Sequence, residues 1–391
     1  MNERLTVTEV VAAQSQVIPF SKPFRSQNES RNLEAVLASG HVHGDGPFTN
    51  LAAGKIRAIT GAGHVLVTTS ATHALEMATS LLGIGVGDEV ILPSFTFPSA
   101  ADAVARTGAL CVFVDIDSTT GNIDPQQVLE AVGSRTKAIS IMHYGGMPVD
   151  IDAIETIAHE HGLPIIEDNA HGLGVMVGDR ALGSIGVFAA QSFHDTKNVQ
   201  CGEGGALLIN DPSFIERAEI MREKGTNRSQ FLRGQVDKYS WVDWGSSYLP
   251  SELNAAVLDS QLDDFAEIQR RRFSIWDRYA LELGEWADAN RVEPMCPPLG
   301  IHSAHLYYLL MPTWNAQTAL IAHLRAAGVV ATFHYVPLDT SQAGRRYGRS
   351  RQPLTKSEDF SCRLVRLPLW AGMSDDQIAR VVTAVREFRV L

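Results

Sequence analysis

From residue 65 onward, short β-branched and apolar runs alternate with segments of helical spacing, and this alternation constrains the fold more than any other feature of the chain. Strands are read at 65–68, 89–92, 109–114, 138–142, 164–167, 187–193 and 205–209, with helices between the earlier ones at 71–82, 100–106 and 154–161. Asp124-Pro125 supplies a cap followed by proline at a first helical position, which starts a further helix toward Val132, and Gly162 closes the 154–161 helix. Such a pattern predicts an α/β fold with a mainly parallel sheet and helices on both faces. In sheets of this kind ligands gather beyond the carboxyl ends of the strands.

With 391 residues the chain is too long for one ordinary core. Residues 18–250 are expected to form the large α/β domain, preceded by a disordered extension at 1–17. Within the large domain, 30–37 has helical spacing and 40–49 is a glycine-rich loop. Residues 251–292 read as a connecting helix, a long stretch to about 283 carrying Leu253, Ala256, Leu262, Phe265, Ile268 and Phe273 at helix-like spacings. A smaller α+β domain is expected over 293–391, with strands at 306–311 and 329–333 and helices at 318–326 and 374–388.

The formal charge of −11, from 33 basic and 44 acidic residues, argues against nucleic acid or an anionic membrane as partner. An anionic ligand must therefore meet a local basic patch. Cys111, Cys201, Cys296 and Cys362 are scattered, so neither a zinc site nor a disulfide framework follows. No apolar leader or spanning segment is read, and the cytoplasm is the expected compartment.

Lys197 draws attention because it lies between an apolar run ending in Ser192-Phe193-His194 and the cluster Gly202-Glu203-Gly204-Gly205. A lysine just after a buried strand, among small residues, can lose solvent and have its ammonium pKa lowered enough for Schiff-base chemistry, although a lone loop lysine is ordinarily solvated. Thr69-Ser70-Ala71-Thr72 falls at a strand-to-helix junction, where backbone amides and hydroxyls favour an anion, though Ser70 or Thr72 could be a plain helix cap. Asp168, in Glu167-Asp168-Asn169-Ala170-His171, follows the apolar 164–166 run and so sits at a strand's carboxyl end. Phe97 follows another strand and could stack on a flat heterocycle or pack in the core.

The run S-F-H-x-x-K-N followed by G-E-G-G resembles the active-site signature of the DegT/DnrJ/EryC/StrS nucleotide-sugar aminotransferases, and the likeness extends from about Ile18 to the C-terminus. Segments 221–230, 234–239 and 245–249 are similar to the branch that aminates a dTDP-4-keto-6-deoxyhexose at C4. The resemblance implies a fold type I enzyme using pyridoxal 5'-phosphate, with Lys197 as Schiff-base residue and proton carrier. It further implies Asp168 beneath the ring nitrogen, His171 near the ring oxygen, Phe97 against the ring, and Ser70, Ala71, Thr72 and Ser192 around the phosphate. Many relatives carry G-x-N-x-R-M where this chain has Gly245 to Pro250; Ser247 stands at the asparagine position that reaches a neighbouring subunit's cofactor, so a homodimer is implied. His334, in an H-Y-x-P-L segment, is implied near the sugar. Arg222, Lys224, Asn227, Arg228 and Arg233 are the donors available for a nucleotide diphosphate, or else a solvated face.

The implied reaction is transamination of dTDP-4-dehydro-6-deoxy-D-glucose at C4 with L-glutamate, giving dTDP-4-amino-4,6-dideoxy-D-galactose or its D-glucose epimer. Two alternatives share the scaffold: a nucleotide-sugar dehydratase, whose members carry histidine in place of the lysine, and a non-catalytic sensor.

Overall fold

The computed structural model describes residues 17–390. The expected extension at 1–17 lies outside them except for Val17. Helices α1 (Glu29–Ser39) and α2 (Pro47–Thr60) precede β1 (His64–Thr68). The alternation then runs α3 (Ala71–Leu81), β2 (Glu89–Pro93), α4 (Pro98–Ala105), β3 (Leu110–Val114), α5 (Pro125–Ala131), β4 (Thr136–Met142), α6 (Ile151–His161) and β5 (Ile165–Asp168). A small hairpin, β6 (Met176–Val177) and β7 (Arg180–Ala181), leads to β8 (Phe188–Ser192) and β9 (Gly205–Ile209). These strands are short and buried along nearly their whole length, as expected of a sheet covered on both faces. The eight-stranded sheet has the order β1-β9-β8-β5-β4-β2-β3-β12, where β12 is Gly348–Ser350. It is parallel from β8 through β12, while β9 runs antiparallel to both β1 and β8.

Local signals explain most helix starts. Asp124, Asp150 and Ser70 each accept a hydrogen bond from a first-turn N–H, satisfying one of the donors that a helix start leaves over. Helix α2 was not expected: Pro47 opens it, and its first N–H groups are capped from afar by Glu252, which accepts from Gly46 N, Phe48 N and Thr49 N at 3.1, 2.8 and 2.9 Å. The glycine-rich loop therefore ends at Gly46 rather than at residue 49.

After β9 come α7 (Ile215–Arg222) and α8 (Arg228–Leu232). The single connecting helix is corrected to two, α9 (Glu252–Asp263) and α10 (Phe265–Asn290). The break at Asp264 is where the N-terminal segment docks: its carboxylate accepts from Ser26 Oγ and from Gln27 N, while Ser26 Oγ also reaches Ser260 O at 2.9 Å. Helix α9 packs against α1 and α2, so only α10 extends to the C-terminal elements.

Those elements are β10 (Glu293–Pro294), β11 (Tyr307–Leu310), α11 (Trp314–Ala326), α12 (Gln342–Tyr347), β12, α13 (Thr355–Arg363), β13 (Leu364–Leu367) and α14 (Asp375–Glu387). Strands β10, β11 and β13 form a small antiparallel sheet. The expected strand at 329–333 is absent among the described residues. After the left-handed Gly328, Val329 bridges to Ile18 and Thr332 to Arg366, so its hydrogen bonds are divided between two partners and no single ladder forms. Two crossings qualify the division at 293: β12 joins the large sheet, and Ile18 packs into the cluster built by α10, β11, β13 and α14.

Candidate active site

Beyond the carboxyl ends of β5 and β8, the chain encloses a cavity of about 510 Å³. Nine of the sequence-predicted residues line it: Ser70, Ala71, Thr72, Phe97, Asp168, His171, Ser192, Lys197 and His334.

Lys197 is held by the β8–β9 connection. The ladder between these antiparallel strands continues past their ends through Phe193 N to Gly204 O at 2.8 Å and Cys201 N to Phe193 O at 2.9 Å, and Lys197 N closes a turn onto His194 O. Two glycines make room for this path. A Cβ on Gly204 would lie 2.3 Å from Cys201 Sγ, and one on Gly205 would lie 2.3 Å from Ala71 N, inside the start of α3. The Lys197 side chain is exposed only in part, and what surface it has faces the cavity. Burial pulls its pKa down to about 8, against the attraction of Asp168 and assisted by the Arg366 charge. Among the described residues no carboxylate is within ion-pair distance of its Nζ.

Asp168 ends β5 with Oδ1 accepting from Ala170 N at 3.0 Å. Burial raises its pKa above the ordinary carboxylate value, and the Ala170 N–H and the charges of Lys197 and His143 oppose the rise. A cation set against it would remove that penalty. Its neighbour Glu167 is fully buried and braces the fold: it accepts from Gly183 N, Ile185 N and Gly186 N at 2.7–2.8 Å and meets His143 Nε2 at 3.0 Å. This clamp ties the 183–186 turn to the strand that carries Asp168.

His171 accepts from Gly145 N at Nδ1 (3.2 Å), which leaves the ring proton on Nε2 as a donor. Its ring stacks on His305, centroids 4.0 Å apart, and burial holds its pKa well below the usual imidazole value, so it is neutral. His305 is positioned in turn by Asn198 Oδ1 at 2.9 Å from Nδ1 and by Arg272, which donates to the Ala304 and His305 carbonyls.

At the start of α3 both readings of the serine coincide. Ser70 Oγ caps the helix by accepting from His73 N at 3.1 Å, and Ser70, Ala71 and Thr72 at the same helix start line the cavity. Thr72 Oγ1 lies 2.7 Å from Ser99 Oγ, a second hydroxyl at this end. On the opposite wall, His334 stacks on Tyr335 with centroids 3.9 Å apart and meets Tyr144 OH at 3.2 Å. Phe97 is 52 % exposed, an uncovered aromatic face on the cavity rather than a core residue.

Ser247, Lys224, Asn227 and Arg228 do not line this cavity. Residues 223–247 fold back on themselves, with bridges Glu223 to Ser247 and Thr226 to Trp241. Arg228 pairs with Glu223 at 3.1 Å, Arg222 with Asp45 at 2.8 Å and Arg233 with Glu219 at 2.7 Å. Asn227 Oδ1 accepts from Ser240 N, and Lys224 and Ser247 are exposed. The cavity's own cation besides Lys197 is Arg366, which the sequence reading missed together with His305, Tyr335 and Ser99. A charged residue inside the apolar run Leu364-Val365-Arg366-Leu367 was the available signal.

The donor set fits pyridoxal phosphate: an amine without an acidic partner, a buried carboxylate lacking a cation, a neutral imidazole donor, and a helix start that only a glycine-bearing strand can approach. Comparison with known proteins agrees. The family model of the DegT/DnrJ/EryC1/StrS aminotransferases matches residues 24–386. The spore coat polysaccharide biosynthesis protein SpsC of Bacillus subtilis is 32% identical over 386 residues, covering 97% of this chain and 98% of SpsC. The aminotransferase TlmJ from Streptoalloteichus hindustanus superposes with a TM-score of 0.87 at 32% identity, over 95% of this chain and 98% of TlmJ. The sugar aminotransferase Spr1654 from Streptococcus pneumoniae, in its PMP form, gives 0.87 at 25% identity, over 95% and 97% of the two chains. The chain belongs to the DegT/DnrJ/EryC1/StrS family of pyridoxal phosphate-dependent sugar aminotransferases.

Proposed function

We propose that the enzyme aminates C4 of dTDP-4-dehydro-6-deoxy-D-glucose with L-glutamate as donor, giving dTDP-4-amino-4,6-dideoxy-D-galactose or the D-glucose epimer. The observation that carries the amino-transfer chemistry is Lys197, an amine with pKa near 8, facing one cavity with Asp168 and the start of α3. The finer choice of nucleotide sugar rests on the likeness of segments 221–230, 234–239 and 245–249 to the C4-aminating branch.

Pyridoxal phosphate, when bound, supplies the aldehyde that takes up the amino group and a ring that spreads negative charge. Asp168 would oppose a cation at the ring nitrogen, and His171 Nε2 would donate toward the ring oxygen. Ser70, Thr72 and Ser192 hydroxyls, with the N–H groups at the start of α3, meet the phosphate. Lys197 Nζ is neutral in a useful fraction of molecules near neutral pH. With the cofactor bound, it would take the proton from the donor's α-carbon, hold it on Nζ and give it up again as the amino group passes to the cofactor; with the sugar it would deliver a proton to C4. His334 and Tyr335 form the wall against which the sugar lies.

The same reading makes the protein a homodimer. Tyr239, Trp241 and Trp244 are exposed aromatic residues on one short segment, Trp241 being 79 % exposed, which suits burial against a second copy. Lys224 and Ser247, also exposed within 223–247, would serve the neighbouring protomer's cavity. Incubation with L-glutamate and dTDP-4-dehydro-6-deoxy-D-glucose, with proton NMR of the product, tests the reaction and assigns the epimer. No C4-amino sugar, or full turnover by a monomer in light scattering, would refute the respective parts.

A further inference from the structure

Arg366 occupies an unusual position for a guanidinium. It lies on β13, with its backbone N and O both bonded to Thr332 at 2.7 and 3.2 Å, so its base is fixed. Its Nε is buried with no hydrogen-bond partner, and among the described residues no carboxylate pairs with it. Phe20 covers the guanidinium plane, the central carbon 4.5 Å from the ring centroid. The donors of a guanidinium lie in its plane, so a covered face leaves the edge for an acceptor. That edge borders the cavity, beside Tyr335 and His334 and near enough for its charge to act on Lys197. A partly buried cation without a counter-ion costs stability, and desolvation indeed disfavours its charged form. A group kept at such cost is expected to meet its counter-ion in a bound ligand.

We propose that Arg366 is the carboxylate anchor of the amino donor, an inference that rests on the transamination reading above. The donor's α-carbon must come to Lys197, and its α-carboxylate is one bond away; the γ-carboxylate is the other candidate from the same molecule. The diphosphate of a nucleotide sugar is a poorer match, since it is separated from C4 by the width of the sugar ring, whereas Arg366 lines the same cavity as Lys197 and its charge acts on that amine.

The test compares wild-type holoenzyme with Arg366→Met and Arg366→Lys in single-turnover reactions with L-glutamate, L-isoglutamine (α-amide) and L-glutamine (γ-amide), followed by the cofactor absorbance. Binding of α-methyl-L-glutamate, which has no α-proton to lose, is measured in parallel by calorimetry. In the wild type one of the two amide replacements is expected to weaken capture by on the order of 100-fold, and which one identifies the anchored carboxylate. In Arg366→Met capture of L-glutamate and of its α-methyl analogue falls by a comparable factor, and that amide replacement carries no further penalty. Arg366→Lys falls between, because a point charge replaces the fork. The loss is confined to the donor half-reaction. Arg366→Met is expected to melt no lower than the wild type, since no counter-ion is lost and the methionine side chain can still pack against Phe20.

An amide penalty that persists undiminished in Arg366→Met, a loss seen instead with the keto-sugar nucleotide, or a lowered melting temperature would each overturn the assignment while leaving transamination intact. A wild type whose cofactor band is unmoved by every amino acid donor would overturn both.

Discussion

Replacing Lys197 with methionine should stabilise the cofactor-free protein at neutral pH while abolishing turnover, because the ammonium is held at a cost. Its pKa falls from 10.5 to about 8, which corresponds to about 3 kcal/mol against the charged folded state, net of the attraction by Asp168. Methionine keeps the length of the side chain and fills the same space without charge. Below about pH 8 the lysine is protonated folded and unfolded, so the whole cost is present. Between pH 8 and 10.5 the unfolded chain binds the proton and the folded chain does not, so wild-type stability rises with pH. Above that range both forms are neutral and the difference is gone. With an unfolding entropy of ~2.1 cal/mol/K per residue, the gain amounts to roughly 4 °C in Tm at pH 7 for a chain of this length. Differential scanning calorimetry of both proteins at one concentration, from pH 7 to 10.5, measures it. A variant that melts lower at pH 7, or a gain that does not shrink as pH rises, would show that Lys197 is not desolvated and would remove the physical basis of its reactivity.

Three further outcomes are expected. Borohydride added to the holoenzyme should fix the cofactor on the peptide containing Lys197; mass spectrometry finding it on Lys137, Lys224 or Lys238 would contradict the site. Asp168→Asn should retain the fold by circular dichroism but lose turnover by about 10²–10³-fold, since an amide cannot oppose a ring cation, and full activity would remove Asp168 from the site. Glu167→Gln should cost about 2–4 kcal/mol in urea denaturation, because one amide oxygen cannot serve three N–H donors and the amide's own N–H groups face them.

The parallel sheet and the cofactor end of the cavity were legible because their signals are local. Apolar β2 and β3 announce buried strands, Asp124 and Gly162 punctuate helices, and Lys197, Asp168 and Ser70 each sit at a strand end in sequence as in space. What escaped depends on residues distant in sequence. Helix α2 is capped by Glu252, α9 and α10 part where Ser26 meets Asp264, and His305 is reached from Asn198 and Arg272. The 329–333 run has strand-like composition yet divides its hydrogen bonds between Ile18 and Arg366, a competition invisible to periodicity. Segment 223–247 carried the right kinds of donor for a diphosphate, but Glu223 and Glu219 take up its Arg228 and Arg233.

The antiparallel entry of β9 between β1 and β8 also sets an order of events during synthesis. The start of α3 emerges early, but it becomes a phosphate cradle only when Gly205 is laid against it, and Lys197 gains its enclosure through the same strand. A nascent chain that has not yet released β9 therefore has a helix start and no binding site. Since this closure joins sequence-distant segments, it belongs to the slow part of folding.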